Sequence, residues 1–142
     1  MFKTILVPVD LGEESSWRKA LPAAVLHARS EGGNLVLMTV VPDFGENIVE
    51  SYFPADFADK AMAKAGADLE AFRAAHVPGD VPSKAMVRTG NIYHEIITAA
   101  GEIGADLIVM ASHRPALSDY LLGPNAARVV RHARCSVLVV RG

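Results

Sequence analysis

Five short aliphatic runs, separated by longer stretches of helical spacing, constrain this chain more than any other feature of its sequence. The runs fall at Thr4 to Val9, Asn34 to Val41, Lys84 to Arg88, Asp106 to Ala111 and Ser136 to Val140. Three of them are almost wholly aliphatic, which suits strands buried on both faces. Such an alternation predicts a parallel sheet with right-handed crossovers and helices on both faces.

The stretches between the runs supply four helices. Glu14 to Ser30 places Trp17, Leu21, Ala24, Val25 and Ala28 on one face. Pro22 interrupts this pattern, so the helix either kinks there or becomes regular only after Lys19. Gly32 and Gly33 end it, glycine being the residue that enters the left-handed region cheaply. Asp56 to Ala75 lines up Phe57, Ala61, Ala65, Leu69 and Phe72 toward the sheet. In Asn91 to Ile103, Asn91 is the N-cap, Ile92, Ile96, Ala99 and Ile103 face inward, and Gly104 is the stop. Pro124 suits the first position of a last helix that runs to Ala133. The expected fold class is therefore α/β, an open five-stranded parallel sheet with helices on both faces. Two irregular segments remain, Pro42 to Ala55 and Ser112 to Leu122, and long loops of this kind in a compact domain often serve function or assembly.

Composition narrows what such a sheet can be for. The 142 residues suit one domain, 1–142, and 51% hydrophobic against 21% charged residues is enough to build a core. Lys and Arg total 14 against 16 for Asp and Glu, a net charge of -2 that offers no large cationic surface for a nucleic-acid backbone. The single cysteine, Cys135, excludes an internal disulfide and a multi-thiolate metal site and is compatible with a reducing compartment. It reads as a small packed residue. No apolar run approaches the roughly 20 residues of a membrane span. Pro8 and Asp10 interrupt what a signal-peptide core would need. The expectation is a cytoplasmic protein with neither nucleic acid nor membrane as a partner.

In an open parallel sheet, ligands bind beyond the carboxyl ends of the strands where the strand order reverses. If the chain winds outward from its first strand and then crosses back, that point lies between the first and fourth strands, and Pro8, Val9 and Asp10 face the cleft from one side and Ala111, Ser112, His113 and Arg114 from the other. The Asp10 carboxylate can accept from a ribose hydroxyl or an exocyclic amine; equally, it can close an Asx-turn or cap the next helix. Gly123, Pro124 and Asn125 open a short helix whose N-terminus suits a phosphate, although glycine before a helix is also an ordinary turn. His113 and Arg114 can steady phosphates, or stand as a solvated loop.

Neither the Walker pattern nor GxGxxG occurs, which disfavours a P-loop hydrolase and an ordinary dinucleotide oxidoreductase. HExxH and GxSxG are absent too, and His27, His76, His94 and His132 are scattered, so no metal site and no esterase nucleophile is expected.

Taken together, MFKTILVPVD, DLIVMASHRP and LLGPNAARVVRHARCSVLVVRG resemble the universal stress protein family over the whole chain. The wording ASHRP followed by YLLGxNAA is similar to a branch of small single-domain members. The resemblance implies a Rossmann-like sheet of order 3-2-1-4-5, an adenine nucleotide, ATP or AMP with or without Mg²⁺, and a stress-response regulator or sensor. It places Pro8, Val9 and Asp10 at the adenine and ribose end, with Val40 closing the second strand over the base. Ala111, His113 and Arg114 run past the ribose toward phosphate, and Gly123, Pro124 and Asn125 form the phosphate turn.

Nucleotide-binding members carry a glycine, two residues and a second glycine after the fourth strand, then a later glycine followed by Ser or Thr. Ala111 and Arg114 replace the first two glycines here, Gly123 stands one residue closer, and Pro124 replaces the hydroxyl residue. Pro124 thereby removes an N–H and a hydroxyl from the anion site, while Arg114 adds a charge that either replaces those donors or fills the pocket. The Asn125 side-chain amide partly offsets the loss.

The resemblance further implies a homodimer through the last strand, Ser136 to Val140, which would cover an otherwise exposed edge, with Pro42 to Ala55 contributing to the contact. Two alternatives stand beside nucleotide binding. One is a nucleotide-independent module that recruits other proteins. The other is a slow ATPase, for which only Asp10 and His113 are placed as a base. No catalytic residue is assigned.

Overall fold

A computed structural model describes residues 1–41, 57–112 and 123–141. The loop Pro42 to Ala55 therefore lies outside the described residues, as does Ser112 to Leu122 apart from Ser112 itself. Strands β1 (Thr4–Pro8), β2 (Asn34–Val41), β3 (Ser83–Thr89), β4 (Leu107–Ser112) and β5 (Ser136–Arg141) alternate with α1 (Ala20–Glu31), α2 (Phe57–His76), α3 (Ile92–Ile103) and α4 (Pro124–His132). A single 3₁₀ turn, Glu14–Ser16, precedes α1.

The sheet has the order β3-β2-β1-β4-β5, and every pairing is parallel. Its central strands are buried on both faces, and their side chains alternate between two cores. Ile5, Val7, Leu35, Leu37, Leu107 and Val109 face one core with α1 and Leu69 of α2. Leu6, Val36, Met38, Ile108 and Met110 face the other with Ile96 and Ala99 of α3 and Val129 of α4. Period-two alternation between two apolar layers is why these runs are aliphatic throughout.

The helix boundaries have local causes. The expected first helix is divided: Glu14–Ser16 forms the 3₁₀ turn, and α1 begins only at Ala20. Pro22 is thus the third residue of α1, within the first turn, where backbone N–H groups have no intrahelical acceptor and a missing donor costs little. Trp17 is not on the α1 face; it stacks edge-on against Phe72 at 4.9 Å and tilts against His76 at 4.8 Å, both on α2. Gly32 ends α1 at φ 67° and Gly104 ends α3 at φ 67°. Asn91 caps α3, its side-chain oxygen accepting from the His94 N–H at 3.3 Å. Ile92 departs from the expected inward face and is 45% exposed, because it stands at the cleft mouth in the first turn of α3.

One tie between distant segments had no visible pattern. The Asp106 carboxylate, just before β4, accepts from the Lys3 N–H at 2.9 and 3.0 Å and from the Thr4 N–H at 3.1 Å. It holds the start of β1 beside the start of β4, and the two strands pair from there.

Candidate functional site

The crevice begins where that pairing stops. β1 pairs with β2 over five positions, from Thr4 with Asn34 to Pro8 with Met38, and the Val9 N–H extends the ladder to the Met38 carbonyl at 2.8 Å. With β4 it pairs only at Ile5 with Leu107 and Leu6 with Ile108. Adjacent residues of a strand direct their backbone groups to opposite neighbours. Since Val9 addresses β2, position 8 addresses β4, and proline has no N–H to give it. Pro8 thus helps to end the β1–β4 ladder and leaves a gap between the carboxyl ends of the two strands.

A cleft of about 360 Å³ occupies this end of the sheet, and its lining includes Pro8, Val9, Asp10, Val40, Ala111 and Asn125. Six of the predicted site residues are therefore brought together from β1, β2, β4 and α4. Gly123 and Pro124 adjoin the cleft through Asn125 but do not line it, and His113 and Arg114 lie outside the described residues. Sequence reasoning missed Ser16, Met38, Thr39, Ile92, Ile96 and Met110, which complete the lining. Met38, Ile96 and Met110 were legible only as core. They sit where the core reaches the surface, and no local pattern distinguishes that position from deeper burial.

Asp10 is exposed, just past the last residue of β1. Its Oδ1 accepts from the Gly12 N–H at 3.0 Å, so the Asx-turn is present. Among the described residues Oδ2 has no partner, which leaves an acceptor beside the cleft. Asp10 is also the one charged side chain among the described lining residues. Its neighbours Ser16, Thr39 and Asn125 bring hydroxyl and amide groups, while Val9, Val40, Ile92, Ile96, Met38 and Met110 bring apolar surface. An apolar floor with a few convergent polar groups suits a flat, heteroatom-bearing ligand of modest size.

At the far side, Gly123 is the N-cap of α4 in extended conformation, φ -65° and ψ 160°. It therefore needs no left-handed freedom. Its buried N–H is already engaged, donating to Ser112 Oγ at 3.3 Å. Pro124 at the first helical position has no N–H, so the donors of this helix that lack an intrahelical acceptor start with Asn125.

A larger cleft of about 650 Å³ lies at the opposite edge of the sheet, where β4 and β5 begin, lined by residues that include Gly101, Ala105, Ala133 and Cys135. Partial burial there pushes the Cys135 thiol above its ordinary range. None of the predicted binding residues among the described ones lines this cleft. Among the described residues no group of three or more His, Cys, Asp or Glu side chains could hold a metal ion, and no helix is long and apolar enough to cross a membrane.

The model of the universal stress protein family matches residues 1–141. Universal stress protein G of Escherichia coli O157:H7 is 35% identical over 144 residues, covering 99% of this chain and 100% of the relative. Among solved structures, universal stress protein UspA from Lactobacillus plantarum superposes with a TM-score of 0.78 at 26% identity, over 99% of this chain and 98% of that one. Some structural relatives bind nucleotides. A universal stress protein in complex with cAMP has a TM-score of 0.63 at 23% identity, over 99% of this chain and 97% of that one. A family protein from Arabidopsis thaliana with AMP bound has a TM-score of 0.65 at 20% identity, over 98% of this chain and 91% of that one. With a sheet of this order, a cleft at its β1–β4 switch point and a family model spanning the described fold, the chain belongs to the universal stress protein family.

Proposed function

We propose that this protein binds an adenine nucleotide, ATP or AMP, in the β1–β4 cleft, and works as a stress-response regulator or sensor rather than as an enzyme. The observation that carries the reading is the convergence of Pro8, Val9, Asp10, Val40, Ala111 and Asn125 on one cleft, drawn from four separate elements. Structural relatives with AMP or cAMP support the ligand class. The apolar surface of Val9, Val40, Met38 and Met110 suits a base. The Asp10 Oδ2, without a partner among the described residues, suits a ribose hydroxyl or exocyclic amine, and the start of α4 suits phosphate oxygens. Asp10 is the only carboxylate among the described lining residues, so a Mg²⁺ ion here would be held mainly by the phosphates and water.

The same proposal includes a homodimer through β5. Among the described residues this strand pairs in the sheet only with β4, so from Ser136 to Val140 its outer edge faces no other strand. Val137 and Val139 on one face and Leu138 and Val140 on the other are only partly covered. Pairing with a second copy would satisfy that edge and bury those side chains.

The deciding experiment is a calorimetric and thermal-shift titration with ATP and AMP. A ligand that binds only the folded state must raise apparent stability, by about 2.7 kcal/mol when present at a hundred times its Kd. Stabilisation that is lost in Asp10→Ala is the expected result. Absence of heat and of stabilisation at millimolar nucleotide overturns the reading.

A nucleotide-independent interaction module is the second reading, favoured by the Gly123 N–H already being committed to Ser112 and by Pro124 having no N–H. Under that reading a pull-down returns the same partners for wild type and Asp10→Ala, with or without nucleotide.

A further inference from the structure

Asp10 stands in a segment without regular secondary structure, yet its backbone is fastened on both sides by one hydroxyl. The Asp10 N–H donates to Ser16 Oγ at 2.9 Å, and the same hydroxyl donates to the Asp10 carbonyl at 3.0 Å. A serine can do this because its hydroxyl is a donor and an acceptor at one atom. The closure is reinforced locally, the Glu13 N–H donating to the Asp10 carbonyl and the Ser16 N–H to the Glu13 carbonyl, each at 3.0 Å. Ser16 is itself held in place. It ends the 3₁₀ turn, and the next residue, Trp17, is wedged against Phe72 and His76 of α2. Ser16 also lines the cleft that Asp10 enters.

We propose that Ser16 is the positioning residue of the site: it fixes the backbone of Asp10 so that the carboxylate is presented to the ligand in one orientation, with α2 as the anchor through Trp17. The inference rests on the nucleotide reading for its consequence and on the hydrogen-bond geometry for its cause. Without the hydroxyl, the loop from Asp10 to Glu13 keeps its Asx-turn and the two backbone bonds at Glu13, but the Asp10 N–H loses its acceptor and the Asp10 carbonyl loses one of its two donors, so Asp10 itself is no longer tied directly to Ser16. The carboxylate then samples several positions, and the ligand must bear the entropy of selecting one. A threonine has the same hydroxyl and restores the tie.

Two measurements on the full chain, using wild type, Ser16→Ala and Ser16→Thr, test this. In the ligand-free protein, the Asp10 amide should exchange its hydrogen at least about tenfold faster in Ser16→Ala than in wild type, while the Leu37 amide is unchanged and Ser16→Thr is close to wild type. In titrations, the preference for AMP over its 2′,3′-dideoxy analogue should fall severalfold in Ser16→Ala and return in Ser16→Thr. A purely structural serine would move neither the Asp10 amide selectively nor the sugar preference. An unchanged Asp10 amide overturns the positioning role whether or not nucleotide binds. Faster Asp10 exchange with an unchanged sugar preference overturns the link to the ligand. If wild type binds neither compound, it is the nucleotide reading that fails, and the exchange measurement still decides whether Ser16 fixes Asp10.

Discussion

Ser112 and Gly123 are bonded directly beside the cleft: the Gly123 N–H donates to Ser112 Oγ at 3.3 Å, tying the N-cap of α4 to the last residue of β4. Gly123 is buried, so this donor has little access to water as a substitute. Ser112→Ala should therefore lower stability by about 1 kcal/mol, with Ser112→Thr close to wild type. Urea unfolding midpoints at constant m-value measure the difference. Equal midpoints for the alanine variant and wild type would show that the bond contributes nothing.

The two glycines after α1 should respond to the same substitution for different reasons. Gly32 is left-handed, φ +67°, with open space around it, so Gly32→Ala costs about 1–2 kcal/mol of backbone strain. Gly33 has ordinary φ, but a Cβ there would stand 2.8 Å from both the Lys3 and Phe2 carbonyl oxygens. These are backbone atoms at the start of β1, so relief requires the strand itself to move, at about 1–3 kcal/mol or more. The distinguishing measurement is amide exchange at the β1–β2 ladder. Gly33→Ala should loosen Asn34 and Leu35, whereas Gly32→Ala should leave them protected.

The Arg29 guanidinium, bonded to Asp80 at 2.8 and 3.0 Å, holds the Asp80 carboxyl below its ordinary value. A carboxylate depressed in the folded state adds stability above its unfolded pKa and loses it as pH falls through the folded value. The contribution should thus be intact at neutral pH and disappear below about pH 4. Both side chains are half exposed or more, so the effect should be small and weaken in high salt. Asp80→Asn should flatten the acid limb of a stability–pH profile. An unchanged limb would remove the pair from the stability of the fold.

Cys135 makes an opposite pH prediction. Partial burial raises its pKa, with the nearby Asp106 charge adding to the effect. Since the thiolate is the reactive form, alkylation at pH 7.5 should be slower in the folded protein than after denaturation. A folded-state pKa above the unfolded value of about 8.5 also contributes stability below that pH and loses it as pH rises. Cys135→Ser should reduce this alkaline loss. Equal alkylation rates for folded and denatured protein would contradict the burial argument.

Particular residues show how far local pattern reaches. Asn91 and Gly104 bounded α3 from sequence alone because capping and left-handed turns are matters of one or two residues. Pro22 left two readings open. Its place in the first turn of α1 follows from Trp17 being drawn to Phe72 and His76, which are distant in sequence. Asp10 could be placed at a strand exit but its partner was left open; the structure supplies the Gly12 N–H to one oxygen and, among the described residues, nothing to the other. Ser16 carried no signal, since a serine before a helix resembles any other, and its role depends on a turn that only the folded chain makes.

The sequence by itself determined the class of the fold and, through its resemblance, the strand order, and it pointed to the carboxyl end of the sheet as the place for a site. Aliphatic runs of this length must be covered on both faces, and parallel strands need crossovers of a fixed hand. Tertiary structure alone decided which core residues surface in the cleft, how Ser16 and Ser112 secure its two sides, and that the Gly123 N–H is committed to Ser112. Those facts depend on distances between segments far apart in the chain. The apolar period that draws the segments together says where they meet, but not which single polar groups face each other when they do.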